Sequence, residues 1–98
     1  MATRRSWDAL RESHANEPGF AEAYAQAELR HQFGVALRDA RAGAGLTQAE
    51  LARRVGSTRE YIARLEAGGA DVKLSTLVRL AGVFGRPFHI TAAGVSAA

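Results

Sequence analysis

A chain of 98 residues, 47% of them apolar, suits one small domain with a modest core. The absence of cysteine excludes a disulfide framework and any cysteine-based metal site, and no stretch reaches the roughly 20 apolar residues that a membrane helix needs. The net charge of +3 is unevenly spread: residues 1–33 hold four Arg against five Asp/Glu, and residues 34–98 hold nine Lys/Arg against five, as expected if the second part meets phosphates and the first meets something else.

Met1 to Arg5 has no apolar run behind it, so it does not read as a secretory signal, and a cytoplasmic location is expected. It reads as a frayed end, with a minor-groove arm at Arg4 and Arg5 as the alternative. Ser6 to about Ala15 predicts a short helix, with Ser6 as its cap and Asp8 in the first turn. Trp7 and Leu10 share one side of it, and Trp7 reads as a packing anchor. Asn16-Glu17-Pro18-Gly19 is a break, and Pro18 suits the opening of the next helix. Phe20, Ala23, Tyr24 and Ala27, then Phe33, Leu37, Ala40 and Ala44, keep helical spacing, which predicts helix over about 19–43. Gly34 falls inside it, either as a kink or as the meeting point of two helices near His31–Gly34.

The stretch from Gly45 to Gly68 predicts two short helices joined by a tight turn. Thr47 and Glu50 form the T-x-x-E pattern of a capping box. Leu51, Ala52 and Val55 make one apolar face, and Gly56 ends the helix. Either Ser57 or Thr58 caps the next helix, Ser57 having Glu60 three residues on. Ile62 and Leu65 form its inward side, and Ala67-Gly68-Gly69 stops it. Two such helices with a glycine-containing turn match the helix-turn-helix pattern.

Residues 70–74 read as a loop. Ser75 is expected to cap a helix with Leu77, Leu80, Ala81 and Phe84 inward, ended by Gly85 and Pro87. Phe88-His89-Ile90-Thr91-Ala92 alternates as a strand does. No other segment reads as a strand, so pairing with a second copy across a two-fold axis is expected, through Phe88 and Ile90; an irregular tail on the last helix is the alternative. Gly94 to Ala98 reads as loose.

Leu46-Thr47-Gln48, Leu51-Ala52, Gly56, Tyr61-Ile62, Leu65-Glu66 and Gly68 fall at the spacing of the phage-repressor helix-turn-helix family, called Xre or Cro/CI, which the stretch from Phe33 to Phe84 resembles. Ser57 and Ala63 depart from its usual residues. The resemblance implies an all-α, five-helix-type DNA-binding domain over residues 33–85. Residues 1–32 would be an N-terminal helical extension, and residues 86–98 a C-terminal strand and tail for dimerisation.

In a helix-turn-helix the second helix enters the major groove by its N-terminal part while the first crosses the backbone. The polar residues opposite Ile62 and Leu65 are then the DNA-facing ones: Thr58, Arg59, Glu60 and Arg64. Arg59 suits guanine and Glu60 suits cytosine N4. Thr47, Arg53 and Lys73 are candidate phosphate contacts. The resemblance implies that Gln48 contacts the backbone or positions the recognition helix, that Tyr61 is partly buried and reaches a phosphate, and that Glu66 pairs within the chain, with Arg38 or Arg41. For each polar residue a solvated helix face is the plain alternative.

His14, His31 and His89 are scattered, and no phosphate loop, Gly-x-Ser-x-Gly or cysteine nucleophile is present, so no catalytic residue, metal or cofactor is expected. The extension around Phe20 to Tyr24 resembles HigA-like antitoxins, and the closing helix and strand resemble HipB-like ones. That resemblance implies a dimeric repressor of operator DNA that also neutralises a toxin, through Trp7, Phe20 and Tyr24. The alternatives are a stand-alone dimeric regulator, and an interaction module without a DNA role.

Overall fold

A 24-residue helix, α1 (Phe20–Gly43), forms the back of the domain. The computed structural model describes residues 9, 19–91 and 94–97. The expected terminal arm, the features assigned to Ser6, Trp7 and Leu10, and Asn16 to Pro18 lie outside them; Ala9 is helical. Gly19 precedes α1 with a φ of 76°, a conformation open to glycine at little strain.

α1 is unbroken through Gly34, which excludes two helices meeting there. A Cβ at this position would lie 2.5 Å from the carbonyl oxygen of Glu66 and 2.6 Å from that of Leu65. Glycine is therefore present for close packing of another helix, against its cost of about 1 kcal/mol in helix propensity. Four helices are found among the described residues beside the helical Ala9, and the second half of the extension and the first core helix are one element.

α2 (Gln48–Val55) opens with both halves of the capping box in place. It closes at Gly56, φ 71°. The amide of Ser57 donates back to the carbonyl of Ala52 at 2.8 Å. Ser57 thus completes the end of α2, and the cap of α3 (Arg59–Glu66) falls to Thr58, whose hydroxyl accepts from the Tyr61 amide. α4 (Leu74–Phe84) starts earlier than Ser75 allows. Its first bond is main-chain, from the Leu77 amide to the Lys73 carbonyl, and no side chain caps it.

The apolar spacing of the four helices converges on one core. Leu37, Leu51, Ile62, Leu65 and Leu80 are fully buried, with Phe33, Ala52 and Val55 beside them. Burying each large side chain contributes about 1.5–3 kcal/mol. Thr76 is buried on the same side of α4 as Leu80, while Leu77 and Phe84 are only half-buried.

The described chain is mostly helical, and the expectation that its closing strand is a lone one is overturned. β1 (Phe88–Thr91) pairs antiparallel with β2 (Gly94–Ala97), with Phe88 opposite Ala97 and Ile90 opposite Val95. β2 has little strand signal of its own: its small residues are held by β1 and by α1. The Val95 amide donates to Gln32 Oε1 on α1 at 3.0 Å. Phe88 packs within its own chain, its ring centroid 5.3 Å from that of Phe33 and 6.2 Å from that of Phe84. Its side chain thus covers its own core, and an internal partner removes the premise that β1 needs a second copy. The side chain of Ile90 lies outside the described residues.

Candidate nucleic-acid interface

The turn between α2 and α3 brings the first residues of both helices to one surface. Thr47 is exposed, and its hydroxyl accepts from the Glu50 amide at 3.1 Å while Glu50 Oε1 accepts from the Thr47 amide at 3.1 Å. The bond from the Thr47 amide, and after it the Thr47 side chain, holds the Glu50 carboxyl below its ordinary pKa. Thr58 is exposed at the start of α3, with its hydroxyl engaged as the cap. Arg59 and Glu60 follow it, both in solvent.

Gln48 and Arg59 are eleven residues apart in the chain and meet here: Arg59 Nη1 donates to Gln48 Oε1 at 3.0 Å. Gln48 Nε2 in turn donates to Glu66 Oε1 at 3.1 Å. Glu66 is gripped from behind by Arg41, through Nε to Oε2 at 2.6 Å and Nη2 to Oε1 at 2.9 Å. The carboxylate side chain is only 6% exposed. Of the two partners anticipated for Glu66, Arg41 is the one used, and Arg38 is exposed. Arg41 also donates to the Leu46 carbonyl at 3.0 Å, tying α1 to the approach of α2. The bond to Glu66 raises the pKa of the Arg41 guanidinium, against the effect of burial.

Tyr61 is half-buried, and its hydroxyl donates to the Asp71 carbonyl at 3.2 Å. Arg53, Arg64 and Lys73 are exposed, Lys73 at the N-cap of α4. Arg64 lines an open cleft of about 340 Å³ with Arg30, Gly68, Gly69, Ala70 and Asp71. Sequence reading missed the Arg30–Asp71 pair at 3.2 Å, which spans 41 residues and leaves no local signal. Arg79, which donates to the Val55 carbonyl at the end of α2, was missed for the same reason. The anticipated partner residues Phe20 and Tyr24 stack on each other near the start of α1, centroids 6.3 Å apart; Trp7 lies outside the described residues.

Two capped eight-residue helices, a left-handed glycine between them and a polar outer turn define a helix-turn-helix protein. The helix-turn-helix family model matches residues 37–90, and the chain belongs to that family, in its Xre-type branch. It is similar to the clp gene regulator ClgR from Corynebacterium glutamicum, at 34% identity and a TM-score of 0.58 over 60% of this chain and 63% of that one. It is similar to the restriction-modification controller protein C.AhdI from Aeromonas hydrophila, at 34% identity and a TM-score of 0.56 over 57% of this chain and 85% of that one. A hypothetical transcription factor, NHTF from Neisseria, matches at 30% identity and a TM-score of 0.57 over 61% of this chain and 69% of that one. The similarity thus spans less than two thirds of the ClgR chain. No curated protein matches the sequence. Among the described residues no helix is long and apolar enough to cross a membrane.

Proposed function

We propose that the chain is a cytoplasmic, sequence-specific DNA-binding transcription regulator, a repressor that acts as a homodimer and has no catalytic role. The observation that carries this reading is the exposed first turn of α3, Thr58 to Glu60, joined to the start of α2 by the Arg59–Gln48 bond. Arg59 is the base reader, Glu60 and Arg64 flank it, and Thr47, Arg53 and Lys73 meet phosphates. The regulator names carried by the similar structures support the same reading. Binding-site selection from random duplexes tests it. One enriched motif is expected, with two half-sites about one helical turn apart and affinity falling steeply with salt. No enriched sequence would overturn it.

A second reading, an antitoxin that also neutralises a toxin and represses its own operon, is favoured by the Phe20–Tyr24 stack, which precedes the family-matched segment by more than three turns of α1. A nuclease-treated pull-down from native extract separates the two. A small basic protein recovered in near-equal amount supports the antitoxin; recovery of the chain alone supports the stand-alone regulator.

A further inference from the structure

The open cleft beside α3 joins the proposed DNA-facing surface to a part of α1 outside the family-matched segment. Arg64 of α3 and Arg30 of α1 both line it, and Arg30 stands about two helical turns before that segment. The loop after α3 comes this close to α1 because residue 68 has no side chain. A Cβ there would lie 3.2 Å from the Cα of His31, at a φ of 76°. The carbonyls at the end of α3 are already engaged: Leu65 accepts from the Gly68 amide at 3.1 Å and Arg64 from the Gly69 amide at 2.9 Å. Among the side chains lining the cleft, two guanidiniums thus stand against one carboxylate, that of Asp71. It accepts from Arg30 Nη1 at 3.2 Å with its side chain 87% exposed, and so exposed a pair is weak. A phosphate accepts from a guanidinium in the same forked geometry as a carboxylate. Tyr61 spends its one hydroxyl proton on the Asp71 carbonyl, so a phosphate at this place takes its donors from the arginines.

We propose that the cleft seats a backbone phosphate of the bound duplex on Arg30, and that Asp71 is its gate: the carboxylate occupies Arg30 in the free protein, and the phosphate displaces it. This rests on the DNA reading proposed above. A phosphate carries no sequence information, so the gate lowers affinity for all duplexes alike and leaves base preference to Arg59. If the Arg30–Asp71 pair were instead a strut that steadies the loop leading to Lys73, breaking it would weaken binding. The two roles therefore differ in sign at Asp71.

The test is a cycle of Asp71→Asn, Arg30→Gln and the double variant, with Arg30→Lys beside them. Each purified protein is titrated against the selected duplex and an unrelated one at several salt concentrations, with thermal midpoints measured so that folded proteins are compared. Asp71→Asn is expected to tighten binding to both duplexes by roughly threefold, and to lose most of that gain when residue 30 is already Gln. Arg30→Gln is expected to weaken binding to both alike and to lower the slope of log affinity against log salt by about 1, while Arg30→Lys keeps the slope. Weaker binding by Asp71→Asn, an equal gain with and without Arg30, or an unchanged salt slope in Arg30→Gln would overturn the proposal. Wild-type protein that binds neither duplex would instead overturn the DNA reading, and this proposal with it.

Discussion

Gly34 and Glu66 approach so closely that the missing Cβ of Gly34 would lie 2.5 Å from the Glu66 carbonyl oxygen. The contact is with main chain on both sides, so no flexible side chain can move away. Gly34→Ala gains about 1 kcal/mol in helix propensity and forces α1 and α3 apart, which costs about 1–3 kcal/mol. A net loss of stability is expected in urea denaturation. It should come with weaker specific DNA binding, because Glu66 anchors the Gln48–Arg59 pair. A stabilised Gly34→Ala variant would mean that α3 yields freely.

The Arg41–Glu66 pair is largely out of solvent, with side-chain exposures of 18% and 6%. Removing one partner leaves the other charge without compensation. Arg41→Ala is therefore expected to cost about 3 kcal/mol, measured by equilibrium denaturation. Replacing both residues with Met should cost less than the single change, since no buried charge remains.

The capping box at Thr47 and Glu50 carries a pH dependence. Thr47→Ala is expected to lose about 1 kcal/mol. The Glu50 pKa is depressed in the folded chain. Its charge therefore stabilises the fold above the ordinary carboxylate pKa, and that contribution disappears as the pH falls through the lower folded value. Glu50→Gln keeps a hydrogen-bonding side chain without the charge. The gap in urea midpoint between wild type and Glu50→Gln should narrow as the solution is acidified, and a gap independent of pH would contradict the assignment.

Two arginines should separate by the kind of binding they support. Arg59→Ala is expected to lose about 1–3 kcal/mol of specific binding and to relax one operator position. Arg53→Ala should weaken binding to all sequences alike and lower the slope of log affinity against log salt by about 1. Titrations of both variants at several salt concentrations check this, and interchanged behaviour would reverse their roles.

Phe88 links the hairpin to the core through Phe33 and Phe84. Phe88→Ala is expected to cost about 2 kcal/mol, less than loss of a fully buried ring, with an unfolding midpoint that drops even at concentrations where sedimentation finds only monomer. A midpoint unchanged in the monomer would return Phe88 to a role at a dimer interface.

What was legible in the sequence is what short-range chemistry controls. Helical spacing marked α2 and α3 with their buried residues, Thr47 with Glu50 marked the capping box, and Gly56 and Gly85 marked helix ends, because each signal lies within a few residues of its effect. What only the tertiary structure decided depends on groups far apart in the chain. Ser57 and Thr58 both suited a cap, and the Ser57 amide bond to the end of α2 decided for Thr58. Gly34 suggested a break, and the carbonyls of Leu65 and Glu66 made it a packing site in an unbroken helix. β2 was invisible, since Gly94, Val95, Ser96 and Ala97 acquire strand form from β1 and Gln32. Glu66 was expected to pair within the chain, but its bond to Gln48, and through it the hold on Arg59, depends on the angle at which α2 and α3 meet α1. Side-chain hydrogen bonds over 11 to 25 residues are set by how the core packs, and no local pattern encodes them.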